Sequence, residues 1–73
     1  MKKYVVTNKD VDAIKTLMSY INVNSTVEIK GCWEEGFGRE WFVFVNNDNY
    51  RFGGTGPAIF DAITIVLDKI HNR

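Results

Sequence analysis

The sequence predicts an α+β domain with the element order α-β-β-β-α, in which the three strands form an antiparallel meander packed with two helices. Two amphipathic segments with helical spacing, one near each end of the chain, flank a central region with strand spacing. This central region, residues 27–52, is divided by two short segments rich in glycine or asparagine, which is typical of hairpins. The length of 73 residues fits a single domain, residues 1–73.

The first helix is predicted over residues 9–22. Apolar side chains recur on one arc at helical spacing, namely Val11, Ile14, Leu17, Met18 and Ile21. Thr7 or Asn8 can accept from the first free amides, and Asp10 lies near the positive end of the helix dipole. Ahead of the helix, residues 4–6 are expected to form either a short N-terminal edge strand or an apolar staple onto the helix.

The strands are predicted around two turns. The first turn, residues 35–39, contains two glycines, and the second, residues 46–49, has side chains that bond to the local backbone. Closing the first turn in this way places Trp33 opposite Trp41, an aromatic cross-strand pair. Gly31 interrupts the first strand and is expected to mark a bulge.

This pairing, with Phe52 opposite Val43 across the second turn, sorts the strand side chains onto two faces. The first face is predicted to be the core and to carry both helices, and its residues are Val27, Ile29, Trp33, Trp41, Val43, Val45, Tyr50 and Phe52. The second face holds two phenylalanines among polar groups: Glu28, Lys30, Cys32, Phe42, Phe44 and Arg51. Because residues 41–45 are apolar on both faces, the second face must also cover something. The alternative architecture is a three-layer sandwich with one helix on each side.

The last helix is predicted from about Pro57 to Ile70, after a loop formed by residues 53–57. Pro57 suits the first helical position because its missing amide costs little there. The apolar arc of this helix is broad, and only a narrow polar stripe interrupts it. This helix is therefore expected to be the more buried of the two.

Composition and charge exclude several functions. Nine basic and nine acidic residues give a net charge of zero, so the chain lacks the general positive charge that drives non-specific nucleic-acid binding. No apolar run approaches the length of a membrane span, and the N-terminal residues turn polar before the apolar region of a signal peptide could form. With a single cysteine, Cys32, the sequence predicts a cytoplasmic protein without an intramolecular disulfide.

Catalytic residues, metal ligands and cofactors are not expected. His71 lies in the C-terminal residues, and Cys32 has no second cysteine or histidine at ligand spacing. Glu34 and Glu40 could meet across the first hairpin, but exposed carboxylates beside a turn are usually solvated surface. The sequence therefore predicts a non-enzymatic protein.

The predicted site is a protein-binding surface. Its residues are Phe37 at the tip of the first hairpin, Phe42 and Phe44 on the second face, and the flanking Arg39 and Arg51. Aromatic and arginine side chains most often dominate protein interfaces. The occupant is expected to be another protein or, in a homodimer, a second copy of the chain. If the N-terminal segment or a helix covers the two phenylalanines, they are core instead.

A small anionic ligand or nucleotide, held by a sequestering oligomer, is the alternative. The loop before the last helix contains Gly53, Gly54, Thr55 and Gly56, and free amides at a helix start can point at a phosphate. The loop lacks the lysine of a P-loop, and Pro57 removes one donor. The simpler interpretation is a strand-to-helix turn with Thr55 or Gly56 as the helix cap.

Two resemblances bear on function. The element order resembles the double-stranded RNA-binding domain, with residues 54–56 at its glycine-rich entry to the last helix, but residues 57–59 replace the lysines by which that family holds phosphates. Nucleic-acid binding is therefore not expected. Residues 41–45 and 57–63, a Trp-containing strand and an alanine- and isoleucine-rich helix, resemble small phage and prophage accessory proteins of the alpha-beta sandwich type. This resemblance covers about the last half of the chain, and it implies an inhibitor from a mobile element that binds a host macromolecule, such as a component of antiviral defence.

Overall fold

Five elements follow the predicted order α-β-β-β-α in the computed structural model, which describes residues 3–36 and 38–72. The helices and strands are α1 (Asn8–Tyr20), β1 (Thr26–Glu34), β2 (Gly38–Asn46), β3 (Arg51–Gly56) and α2 (Ile59–His71). The strands form one antiparallel sheet in the order β1-β2-β3, so β2 is central and β1 and β3 are the edges. The predicted α+β meander is confirmed.

A capping box starts α1. Thr7 accepts a hydrogen bond from the amide of Asp10, and the Asp10 carboxylate accepts one from the amide of Thr7, so the helix start is satisfied locally. Residues 3–7 form no strand, so of the two alternatives predicted for residues 4–6 the edge strand is wrong. Tyr4 instead packs edge-on against Trp41, with ring centroids 4.8 Å apart, and its hydroxyl donates a hydrogen bond to Asp10.

The register of the first hairpin differs from the prediction by two residues. The turn between β1 and β2 is three residues long rather than five, and Trp33 lies opposite Arg39 rather than Trp41. Gly36 and Gly38 have positive φ angles of 90° and 84°, which glycine adopts without steric cost, and this permits the tighter turn.

Gly31 lies in an unbroken ladder, and the predicted bulge is wrong. It pairs with Trp41, whose indole ring folds over it, so that a Cβ on Gly31 would lie 2.9 Å from two ring atoms. The glycine therefore provides space for a large neighbour. An aromatic ring that covers a glycine on the next strand supplies packing that the glycine lacks.

The second turn begins and ends one residue later in the chain than predicted. The Asn47 carboxamide accepts from the amides of Asn49 at 2.8 Å and Tyr50 at 3.0 Å, so the turn runs from Asn47 to Tyr50. Phe52 consequently pairs with Val45, two residues from its predicted partner. Because the pairing in both hairpins shifts by two residues, each strand side chain keeps its predicted face.

Residues 53–56 belong to β3, and the prediction of a loop there is wrong. α2 packs directly on this strand. A Cβ on Gly54 would overlap the carbonyl oxygen of Ala62, and a Cβ on Gly56 would lie 2.6 Å from the Cβ of Asp61. These two glycines are therefore the contact points that let the helix approach the backbone of the strand.

The start of α2 also differs from the prediction. Its N-cap is Ala58, which has no side-chain acceptor, so neither Thr55 nor Gly56 is the cap. Pro57 precedes the helix instead of occupying its first position. The free amides of the first helical turn must therefore find acceptors elsewhere in the fold.

Both helices lie on one face of the sheet, here called the inner face. α2 packs on β2 and β3, and α1 packs on α2. The core between them consists of Leu17, Val43, Val45, Ile59, Ala62, Ile63, Val66 and Ile70. The two-layer arrangement is thus the observed one, and the three-layer alternative is wrong. As predicted, α2 is the more buried helix, with five buried residues against two in α1.

Candidate binding surface on the outer face of the sheet

The face opposite the helices, here called the outer face, is left open by the described part of the chain. Its side chains are Thr26, Glu28, Lys30, Cys32, Glu40, Phe42, Phe44, Asn46, Arg51 and Thr55. Residues 3–7 do not cover it, since Tyr4 packs on the inner-face Trp41. A groove of about 500 Å³ crosses this face beside Phe44.

Phe42 and Phe44 form a stacked pair at the centre of the outer face. Their rings are nearly parallel, 4° apart, with centroids separated by 6.4 Å. The Phe44 ring also covers Gly53, where a Cβ would come within 2.9 Å of two ring atoms. Phe44 nevertheless stays 40% exposed, and Phe42 is half-buried. β2 thus presents apolar surface where water reaches it.

Charged side chains border the stacked pair. On β1, Lys30 Nζ lies 3.2 Å from Glu28 Oε2, and both side chains are more than half exposed. Arg51 is exposed on the β3 side, so the structure brings together three of the predicted site residues, Phe42, Phe44 and Arg51. An exposed ion pair of this kind adds little to stability, and these charges matter more for selecting a partner.

Arg39 does not join this surface. It pairs with Trp33 on the inner face, and its guanidinium lies 5.3 Å from the centre of the Tyr4 ring, a cation–π contact. The shorter first turn moves this residue from the predicted loop into β2 and so fixes its side. Phe37, the remaining residue of the predicted site, lies outside the described residues.

The N-terminal end of α2 is occupied by a buried network that includes Tyr4 and Asp10. The Ile59 amide donates to Tyr4 Oη at 3.1 Å, and the Phe60 amide donates to Asp10 Oδ1 at 3.0 Å. The Tyr4 hydroxyl donates to Asp10 Oδ2 at 2.6 Å, and the same oxygen accepts from the Thr7 amide at 3.0 Å. Asp10 is 0% exposed. The anion at this helix start is therefore supplied by the chain itself.

Burial and hydrogen bonding shift the pKa values of both groups. Burial is the largest influence on Asp10 and raises its pKa, but the hydrogen bonds from Tyr4, Thr7 and Phe60 together outweigh it, so the pKa of this carboxyl lies below its ordinary value. Burial, followed by the hydrogen bond to Asp10, raises the pKa of the Tyr4 hydroxyl. A charged Asp10 beside a neutral Tyr4 is therefore the stable combination at neutral pH.

This network removes the basis for the anion-binding alternative. That hypothesis required residues 53–56 to be a loop and the first amides of the last helix to point at a ligand. Instead, Gly53, Gly54, Thr55 and Gly56 lie in β3, and the amides of Ile59 and Phe60 have internal acceptors.

Sequence reasoning missed the tertiary role of Asp10. The sequence predicts a cap at Thr7 or Asn8 and a favourable place for Asp10 near the helix dipole. The cap at Thr7 is present, but the contact of Asp10 with Phe60 joins residues fifty positions apart. The one feature that points to this role is the absence of a capping side chain at Ala58, because the first amides of α2 then need an acceptor from elsewhere in the chain. That feature can be read only once the start of α2 is known.

Comparison of the chain with known proteins found no match among family models, curated proteins or solved structures. Within residues 3–36 and 38–72, none of the helices has the length and apolar character needed to cross a membrane. In the same part of the chain, no three histidine, cysteine, aspartate or glutamate side chains are grouped to hold a metal ion.

Proposed function

We propose that this chain is a non-enzymatic binding protein that holds a protein partner on the outer face of its sheet. The observation that carries the proposal is the stacked pair of Phe42 and Phe44 on a sheet face that no described segment covers. Exposed contiguous apolar surface on a small domain tends to mark a partner site. Phe42 and Phe44 form the apolar centre of the interface, and Arg51 lies at its border.

Burial of the exposed phenylalanine surface is the main source of affinity in this proposal. Fully burying a phenylalanine side chain contributes about 1.5–3 kcal/mol relative to leaving it exposed. Phe44 is 40% exposed, so part of that free energy is gained only when a partner buries its ring. The groove beside Phe44 is also lined by Glu28, Lys30 and Arg51, so a group inserted there meets an apolar ring and charged side chains of both signs.

The charged border supplies selectivity. Glu28 and Lys30 lie on the β1 side and Arg51 on the β3 side of the stacked pair. A partner must therefore offer an apolar centre together with charges that match both signs, and a uniformly acidic or basic surface would meet repulsion on one side. This arrangement supports a protein partner over a nucleic acid.

The sequence resemblance narrows the kind of partner. Residues 41–45 and 57–63 resemble phage and prophage accessory proteins, so the proposed partner is a host macromolecule such as a component of antiviral defence, and the proposed role is inhibition. An inhibitor that occupies a protein surface needs no catalytic group.

The test compares three forms of the chain as bait in a bacterial lysate: wild type, Phe44→Glu, and the matched control Val23→Glu. Val23 is 98% exposed between α1 and β1, so it receives the same apolar-to-charged change away from the outer face. A protein captured by wild type and by Val23→Glu is then purified and titrated calorimetrically. Phe44→Glu is expected to weaken its binding by about 30-fold or more. Equal binding by Phe44→Glu, with circular dichroism showing a folded variant, would refute the outer-face site.

A further inference from the structure

The outward edge of β1 has no backbone partner among the described residues. β1 is nine residues long and pairs with β2 along one edge only. The hydrogen bonds that described residues make outside the regular elements do not reach it. An open edge of this length is a template for pairing with another strand.

The inner side of β1 is also poorly covered. The helices contact β2, β3 and each other, and neither makes a comparable contact with β1. Val27 packs against the core and the Trp41 ring covers Gly31, but Ile29 is 38% exposed and Trp33 is 55% exposed on this side. Apolar surface therefore remains exposed beside the open edge.

The charges on β1 are self-complementary. Glu28 and Lys30 flank Ile29, and both project from the outer face. A two-fold axis at Ile29 would set Glu28 of one copy directly opposite Lys30 of the other, twice in each interface, with Ile29 opposite itself. Shifting the register by two in either direction, which keeps the helices on one side, would instead set two glutamates or two lysines opposite each other.

We propose that two copies of this chain associate by antiparallel pairing of β1 with β1 about a two-fold axis at Ile29. The product is one six-stranded sheet with all four helices on the same side. The outer faces then join into a single surface with two Phe42–Phe44 pairs, which goes beyond the binding surface of one copy.

The test measures self-association by sedimentation velocity over a concentration series up to millimolar. Wild type is expected to dimerise. Glu28→Lys and Lys30→Glu each place like charges opposite each other at two symmetric positions, and each is expected to raise the dimer dissociation constant by about tenfold or more. The double variant Glu28→Lys with Lys30→Glu exchanges the charges and is expected to restore the wild-type constant. Both positions are more than half exposed, so the variants are expected to fold.

Phe44→Glu separates this dimer from one built on the outer face, because its position lies on the central strand away from the β1 edge. Persistence of the Phe44→Glu dimer, together with rescue by the double charge exchange, supports edge pairing. A wild type that remains monomeric overturns the inference. So does a dimer that Phe44→Glu dissociates, or a double variant as weak as the single ones. Dissociation by Phe44→Glu would assign the outer face to self-association, whereas the other two results leave the outer-face proposal unaffected.

Discussion

The two edge strands of this sheet differ in how far the rest of the described chain covers them. β3 lies under α2, its Gly54 and Gly56 touch the helix, and the ammonium of Lys69 donates to the carbonyl of Gly53 at 2.6 Å. β1 has neither a helix over it nor a backbone partner beyond β2 among the described residues. β3 is thus protected as edge strands usually are, whereas β1 is exposed on its edge and, at Ile29 and Trp33, on its inner side.

This difference separates stability from recognition within one small domain. The packed half contains α1, α2 and β3, together with the buried Asp10 network. The open half contains β1 and the outer side of β2, where aromatic and charged groups remain exposed. A domain of this size buries only a small core, and here that core lies in the packed half. Substitutions in the packed half should therefore lower the free energy of unfolding much more than substitutions in the open half.

The largest expected effect is that of Asp10→Ala in the packed half. The substitution leaves the amides of Thr7 and Phe60 and the hydroxyl of Tyr4 without their buried acceptor. We expect a loss of about 4 kcal/mol, comparable to the total stability of about 5 kcal/mol for a domain of this size. Urea unfolding followed by circular dichroism measures it.

Asp12→Ala is the matched control for that experiment, because Asp12 is exposed on the same helix. Its expected cost is within about 0.5 kcal/mol. Equal unfolding midpoints for the two variants would contradict the assignment of Asp10 as the residue that joins α1 to α2.

The next effect compares alanine at one glycine in each half. Gly54→Ala forces a Cβ into the backbone carbonyl of Ala62, so α2 itself must move, and we expect a loss of about 3 kcal/mol. Gly31→Ala meets the ring of Trp41 at 2.9 Å, and a half-buried side chain can shift, so we expect about 1 kcal/mol. The urea midpoints of the two variants show which substitution destabilises the fold more. A larger cost at Gly31 would show that β1 is packed as tightly as β3.

The smallest effect is the pH dependence that Asp10 adds to the packed half. The pKa of this carboxyl is lower in the folded chain than its ordinary value of 3.8, so the unfolded chain takes up the proton first as pH falls. The stabilisation is fully present above the ordinary pKa and is lost as pH falls below it, through the lower pKa of the folded state. We expect wild-type urea midpoints to fall more steeply than those of Asp10→Asn between neutral pH and about pH 3. Equal slopes of urea midpoint against pH for the two proteins would contradict the lowered pKa of Asp10.

Much of the fold could be predicted because side-chain periodicity survives without knowledge of contacts. Helical spacing located α1 and α2, and strand spacing located β1 and β2 with their correct faces. The placement of Phe42 and Phe44 on the face opposite Val43 and Val45 followed from that spacing and agrees with the strand register, but the sequence left open whether that face is covered. Register was wrong by two residues in both hairpins, because a period of two does not change when pairing shifts by an even number.

The amino-acid sequence by itself determined the α-β-β-β-α order, the two faces of the sheet and the apolar character of both sides of β2. These properties depend on the spacing of side chains along the chain, which is local. Only the tertiary structure decided that Gly54 and Gly56 lie in a strand and contact α2, instead of forming a loop, and that Arg39 lies on the inner face. It also placed Asp10 at the start of α2, because a hydrogen bond between residues fifty positions apart depends on how the two helices pack together.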